Sequence, residues 1–156
     1  MKKMTSPINY TEGTCFYLPL REGGFARGIV TRLSGDGLIY VYFFGPKLAR
    51  AQGAFDDARA RDAVLSGICG DLGLIKGAWL LAGQLNEWSR EEWPLPALYR
   101  EDSEARRAWL SYYDDNTLKF VEEIPVDFEQ EKYKMQPYDR VMGYGAAEIR
   151  LTKLLA

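Results

Sequence analysis

The chain has 156 residues, of which 47% are hydrophobic and 27% charged, and its net charge is −2. That length fits one domain with a core of its own, and the composition is that of a globular rather than a disordered protein. The charge gives no overall pull toward nucleic acid or anionic lipid. There is no histidine, which removes Ser-His-Asp and Cys-His nucleophile pairs, the usual zinc sites and the His-carboxylate iron triad. Met1-Lys2-Lys3-Met4 runs into Thr5, Ser6, Pro7 and Asn9 with no apolar stretch behind it, so no ordinary signal peptide is expected. No apolar run reaches the ~20 residues of a membrane span, and the expected location is the cytoplasm. Cys15 and Cys69 lie far apart among apolar neighbours, which favours small buried hydrophobes in a reducing compartment; a disulfide is left to geometry.

Residues 1–11 are expected to be loose. Thr14 to Leu20 reads as a strand, with Pro19 marking an edge or a strand end. Phe25 to Leu33 and Leu38 to Phe44 are runs of β-branched and aromatic residues around Ser34-Gly35-Asp36-Gly37, the strongest hairpin signal in the chain. Together the three strands predict an antiparallel meander that ends at Gly45-Pro46. In the third strand Ile39, Val41 and Phe43 point one way and Leu38, Tyr40, Tyr42 and Phe44 the other. Both faces are therefore apolar and both need a cover, most simply from within the chain. Gly28, in mid-strand, marks a bulge, a bend or a close approach.

Phe55 to Val64 has helical spacing, and Ala63 to Cys69 fits either a helix or a short strand. Leu74 to Leu81 reads as a strand carrying Trp79, with a break at Gly83. Glu87 to Tyr99 is expected to be a long loop pinned to the core by Trp88 and Trp93, with Pro94 and Pro96 presetting an extended backbone. Ala108 to Tyr113 and Thr117 to Ile124 flank Asp114-Asp115-Asn116 as a hairpin. Pro125 to Pro137 is expected to be a loop or a short helix. The final helix places Tyr144, Ala147, Leu151, Leu154 and Leu155 on one face, and Glu148 at the edge of that stripe calls for a structural partner. The predicted class is α+β and mainly β: an antiparallel meander curled into a barrel-like sheet and covered by the C-terminal helix.

Charge is uneven along the chain. Glu87 to Glu131 holds thirteen acidic and five basic residues, a net of −8, against +6 elsewhere. An acidic segment steers a basic partner if folding gathers it into a patch; otherwise it is a solvated surface. Asp114-Asp115 and Glu122-Glu123 are candidates for acid–base work or a hard cation, but no calcium-loop motif frames them and adjacent acids on a strand point apart. No glycine-rich nucleotide motif occurs. Arg27 and Arg32 near Tyr40 and Tyr42 form a thin version of a nucleic-acid stripe.

The ordered motifs resemble a known family. Glu12-Gly13-Thr14-Cys15-Phe16-Tyr17-Leu18-Pro19-Leu20 followed by Phe25-Ala26-Arg27-Gly28-Ile29-Val30, then Gly77-Ala78-Trp79-Leu80-Leu81-Ala82-Gly83, then Trp93-Pro94-Leu95-Pro96, then Gly143-Tyr144-Gly145-Ala146-Ala147-Glu148-Ile149-Arg150-Leu151 are similar to the immunity protein 26 family, in order over residues 12 to 155. The resemblance implies one immunity-type domain over 1–156. It implies a protein of bacterial polymorphic-toxin competition systems that binds a cognate toxin domain in the cytoplasm and blocks it stoichiometrically, with no cofactor, metal or catalysis. It carries no toxin-binding residues with it. The acidic segment offers Asp114, Asp115, Glu122 and Glu123 as the candidate toxin contacts. Two alternatives stay open: a small β-barrel module binding nucleic acid or peptide, and a carboxylate-based hydrolase.

Overall fold

The computed structural model describes residues 9–156, and among these are nine strands and two α-helices. In order they are β1 (Thr14–Pro19), β2 (Phe25–Leu33), β3 (Leu38–Leu48), β4 (Leu65–Gly70), α1 (Leu72–Ile75), β5 (Leu80–Gln84), β6 (Leu98–Asp102), β7 (Arg107–Tyr113), β8 (Phe120–Val126), β9 (Val141–Met142) and α2 (Tyr144–Leu154). The expected meander forms: β1 pairs antiparallel with β2, and β2 with β3. It sits inside a six-stranded sheet of order β5-β1-β2-β3-β4-β9, and β6-β7-β8 form a second sheet. The class is α+β and mainly β, as the sequence predicts. The large sheet is curled but open, with β5 at one edge and the two-residue β9 at the other. The looseness expected for residues 1–11 lies largely outside the described residues; within them, Tyr10 packs against the core and donates a hydrogen bond to Asp71.

Both faces of the large sheet are buried, as the double apolar pattern of β3 requires. Val41, Phe43 and Ile39 join Phe16, Leu18, Val30, Trp79, Ala147 and Leu151 in one cluster, which α2 covers. Tyr40, Tyr42 and Phe44 join Tyr17, Ile29, Phe55, Trp93, Leu98 and Leu118 in the other. That second face is covered from within the chain by the segment around Phe55 and Ala58, by the Trp88–Trp93 loop, and by the small sheet through Leu98 and the tip of its hairpin.

The first cluster is organised around Trp79. Its ring stacks on Phe16 at 5.0 Å and meets Phe43 edge-on at 6.1 Å. Gly28 lies opposite Phe16 in the β1–β2 pairing, so its mid-strand position is explained by close approach. The indole Nε1–H donates to Glu148 Oε2 at 3.0 Å, and Arg21 Nε donates to Oε1 at 2.9 Å. Glu148 is thus the structural carboxylate that its place on the helix predicts. Glu148→Gln keeps the shape but offers one acceptor where two donors converge. It is expected to lower unfolding stability by about 1–2 kcal/mol in urea denaturation; unchanged stability would show that Arg21 and Trp79 do not depend on the charge.

Several boundaries differ from expectation. β3 runs through Gly45-Pro46, joined by a cis peptide, to Leu48, which pairs with Phe25. The predicted helix over Phe55 to Val64 is only a 3₁₀ turn at Ala60–Asp62, because Phe55 and Ala58 are drawn down into the second cluster. Leu74 to Leu81 is not one strand: Leu72–Ile75 form a helical turn, Gly77 reverses the chain at φ 78°, and β5 begins at Leu80 and continues through Gly83. Ala63 to Cys69 resolves as β4. On α2, Leu154 is half exposed rather than on the buried stripe.

Candidate protein-binding hairpin

The middle of the acidic segment folds as a layer. All of β6, β7 and β8 lie between Glu87 and Glu131, and residues 98–126 carry seven acidic and four basic side chains. The four predicted contact residues lie on one hairpin of this layer, Asp114 and Asp115 at its tip and Glu122 and Glu123 on β8.

The tip is built by Asp114. Its Oδ1 accepts the N–H of Asn116 at 2.8 Å and of Thr117 at 2.9 Å, and the Thr117 hydroxyl at 3.2 Å. These donors hold its carboxyl below the usual carboxylate range, the Asn116 and Thr117 amides most of all. Leu118 follows at φ 56°, a conformation that costs a β-carbon residue about 1–2 kcal/mol. Its buried side chain enters the second core cluster, and that burial is worth a similar or larger amount.

Arg32 fixes the tip from below. It is 2% exposed; its Nε donates to Asp115 Oδ1 at 3.0 Å, and its Nη1 to the carbonyls of Thr31 at 2.8 Å and Trp93 at 3.0 Å. Arg90 adds a second tie. Nη1 donates to Asn116 Oδ1 at 3.0 Å, while Nε and Nη2 grip both oxygens of Glu12 at 2.8 and 2.5 Å. That fork holds Glu12 below the usual carboxylate range. On β8, Glu123 pairs with Arg100 at 2.6 Å, and Arg100 lies over the Trp109 ring at 4.1 Å.

The structure therefore gives the four acids different surroundings. Asp114 shapes the turn, Asp115 shares a half-exposed carboxylate with Arg32, Glu123 shares a less exposed one with Arg100, and Glu122 projects without an ion-pair partner among the described residues. They do not converge as a catalytic pair. Among the described residues no group of three or more Cys, Asp or Glu is placed to hold a metal ion. Sequence reading missed the surrounding apolar residues: Phe120, Val121 and Ile124 of β8 are 55%, 58% and 43% exposed. Their apolar character was the available signal, but a strand pattern alone assigns such residues to a core.

The nucleic-acid stripe does not form. Arg27 donates to the carbonyls of Ala54 at 2.7 Å and Gly45 at 2.6 Å, Arg32 is buried, and Tyr40 and Tyr42 lie inside the second cluster. Cys15 and Cys69 are both free and buried, and burial pushes each thiol up to about 12, which leaves them inert. No helix among the described residues is long and apolar enough to cross a membrane.

The hairpin is thus held in place, carries acids, and exposes apolar residues of β8. A family model described as immunity protein 26 matches residues 11–110. The chain belongs to the immunity protein 26 family. The C-terminal motif from Gly143 to Leu151 lies beyond the matched span. Searches of curated proteins and of solved structures find no match.

Proposed function

We propose that this chain neutralises a cognate bacterial toxin domain by direct one-to-one association in the cytoplasm, without turnover and without a cofactor. The whole of residues 1–156 acts as one immunity-type domain, and the acidic hairpin meets the toxin, with Asp114, Asp115, Glu122 and Glu123 foremost. Family membership supports the immunity role. The observation that supports the choice of surface is a small sheet with a net charge of −3 over residues 98–126, flanked by the further acids of the same segment, whose hairpin is pinned by Arg32 and Arg90. A surface held in place before binding loses little freedom on association, and its charge steers a basic partner, as the working faces of nucleases commonly are.

The test begins with a tagged pull-down from the source cells and mass spectrometry of what co-elutes. An equimolar C-terminal toxin fragment is expected; its absence while the toxin is expressed counts against the reading. With that fragment in hand, the charge reversals Asp115→Lys and Glu122→Lys are expected to slow association by about tenfold at low salt and to flatten its salt dependence. Unchanged kinetics would move the toxin-binding surface elsewhere.

A further inference from the structure

We propose that the free edge of β8 takes up an extended, lysine- or arginine-bearing segment of the toxin as an additional strand of the small sheet. This rests on the toxin-binding reading and gives it a mode and a partner chemistry.

β8 has β7 on one side and, among the described residues, no strand on the other. The opposite edge of the same sheet is bridged at Tyr99 of β6, whose N–H donates to Pro137 O at 2.7 Å and whose carbonyl accepts from the Asp139 N–H at 2.8 Å. Among the described residues β8 is therefore the longer edge of this layer and the one that no other segment bridges. Its pairing with β7 shifts register at Val121 and is regular from Glu122 to Val126, a straight stretch of five residues that can template a further strand. Six of its seven residues are exposed. Pro125 marks β8 as an edge strand; its missing N–H lies on the free edge, so an added strand would draw its main-chain donors from the residues before it. Phe120, Val121 and Ile124 supply apolar surface on both sides of the strand.

An edge of this kind normally carries a device against self-pairing. Here that device is Glu122-Glu123 at the middle of β8. Antiparallel pairing of two copies about the strand centre brings these carboxylates against one another, and like charges opposite across a ladder are destabilising. Glu122, without an ion-pair partner among the described residues, and Glu123, which an incoming cation would share with Arg100, favour a strand that places lysine or arginine opposite them. The main chain then supplies affinity, and the charge selects the partner. By comparison β5, an edge of the large sheet, is kinked by a register shift opposite Cys15 and Phe16 and by Gly83 at φ 102°, and carries no acidic residue.

The test is hydrogen exchange on the full chain, alone and in complex with the toxin fragment recovered by the pull-down. Expected is slowing of at least tenfold for amides within Phe120–Val126 in the complex, together with a loss of affinity of at least tenfold in the Glu122→Lys, Glu123→Lys double variant. Alternating protection along β8 supports strand addition specifically. A stable complex in which β8 exchanges as in the free chain overturns the inference while leaving the toxin-binding reading standing. Protection that appears in the free chain and grows with its own concentration identifies a second copy as the occupant and also overturns it. No complex with the wild-type chain removes the reading and the inference together. Should the double variant fold poorly, Glu122→Gln with Glu123→Gln keeps the strand neutral, and a weakened, less salt-sensitive complex is expected.

Discussion

Arg32→Met is expected to lower the stability of the protein by about 3 kcal/mol and to loosen the hairpin tip. Methionine keeps much of the length and packing of the arginine stem. What it removes is the guanidinium that donates to Asp115, Thr31 O and Trp93 O. Replacing a buried ion pair by apolar groups is often neutral when both partners go. Here two main-chain carbonyls stay behind, and a buried acceptor left unpaired costs about 1–3 kcal/mol. Asp115 loses its partner but is half exposed and is rescued by water. Asp115→Asn should accordingly cost only about 1 kcal/mol, since the amide oxygen still accepts from Arg32. Urea denaturation reads the stability, and hydrogen exchange at residues 114–118 reads the tip. If Arg32→Met is as stable as wild type, with the tip amides unchanged, the arginine does not hold the hairpin.

Gly28→Ala is expected to cost about 3 kcal/mol, at the upper end of overpacking effects. An added methyl would lie 2.3 Å from Phe16 Cζ, well inside contact distance. A flexible neighbour would turn away, but this ring is fully buried, stacked on Trp79 and edge-on to Phe43. Trp79 is itself backed by Gly73, where an added Cβ would stand 2.6 Å from the indole. The strain has no outlet. For a chain of this size the thermal midpoint should fall by roughly 6–12 °C. Combining Gly28→Ala with Phe16→Leu should recover part of the loss, because the two sites share one contact. A Gly28→Ala protein with an unchanged midpoint would mean that Phe16 does not rest on that glycine.

These two residues also mark what the sequence discloses. The alternation in β3 declares two buried faces, because strand geometry is local and its period is two. Gly28 is visible for the same reason, as an interruption of a strong strand. The C-terminal helix and Glu148 follow from helical spacing. β6 escapes notice: Leu98-Tyr99-Arg100-Glu101-Asp102 has two apolar residues followed by charges, and its strand character comes from pairing with β7 and from the Pro137–Asp139 segment. Phe55 to Val64 has helical spacing but is needed as a lid, so tertiary burial overrides the local period. At the hairpin the acids are legible as charge. The meeting of Asp115 with Arg32, 83 positions apart, is set by the packing of one sheet on another, and no local pattern encodes it.

The most direct test of the account is a calorimetric titration of the full-length protein into the recovered toxin domain, with the toxin's activity assayed at each step. The account predicts a one-to-one end point that coincides with complete loss of toxin activity, abolished or shifted at least tenfold in affinity by reversing Glu122 and Glu123. Inhibition at far less than one equivalent would mean turnover. An absence of binding alongside full toxin activity would contradict neutralisation by direct association.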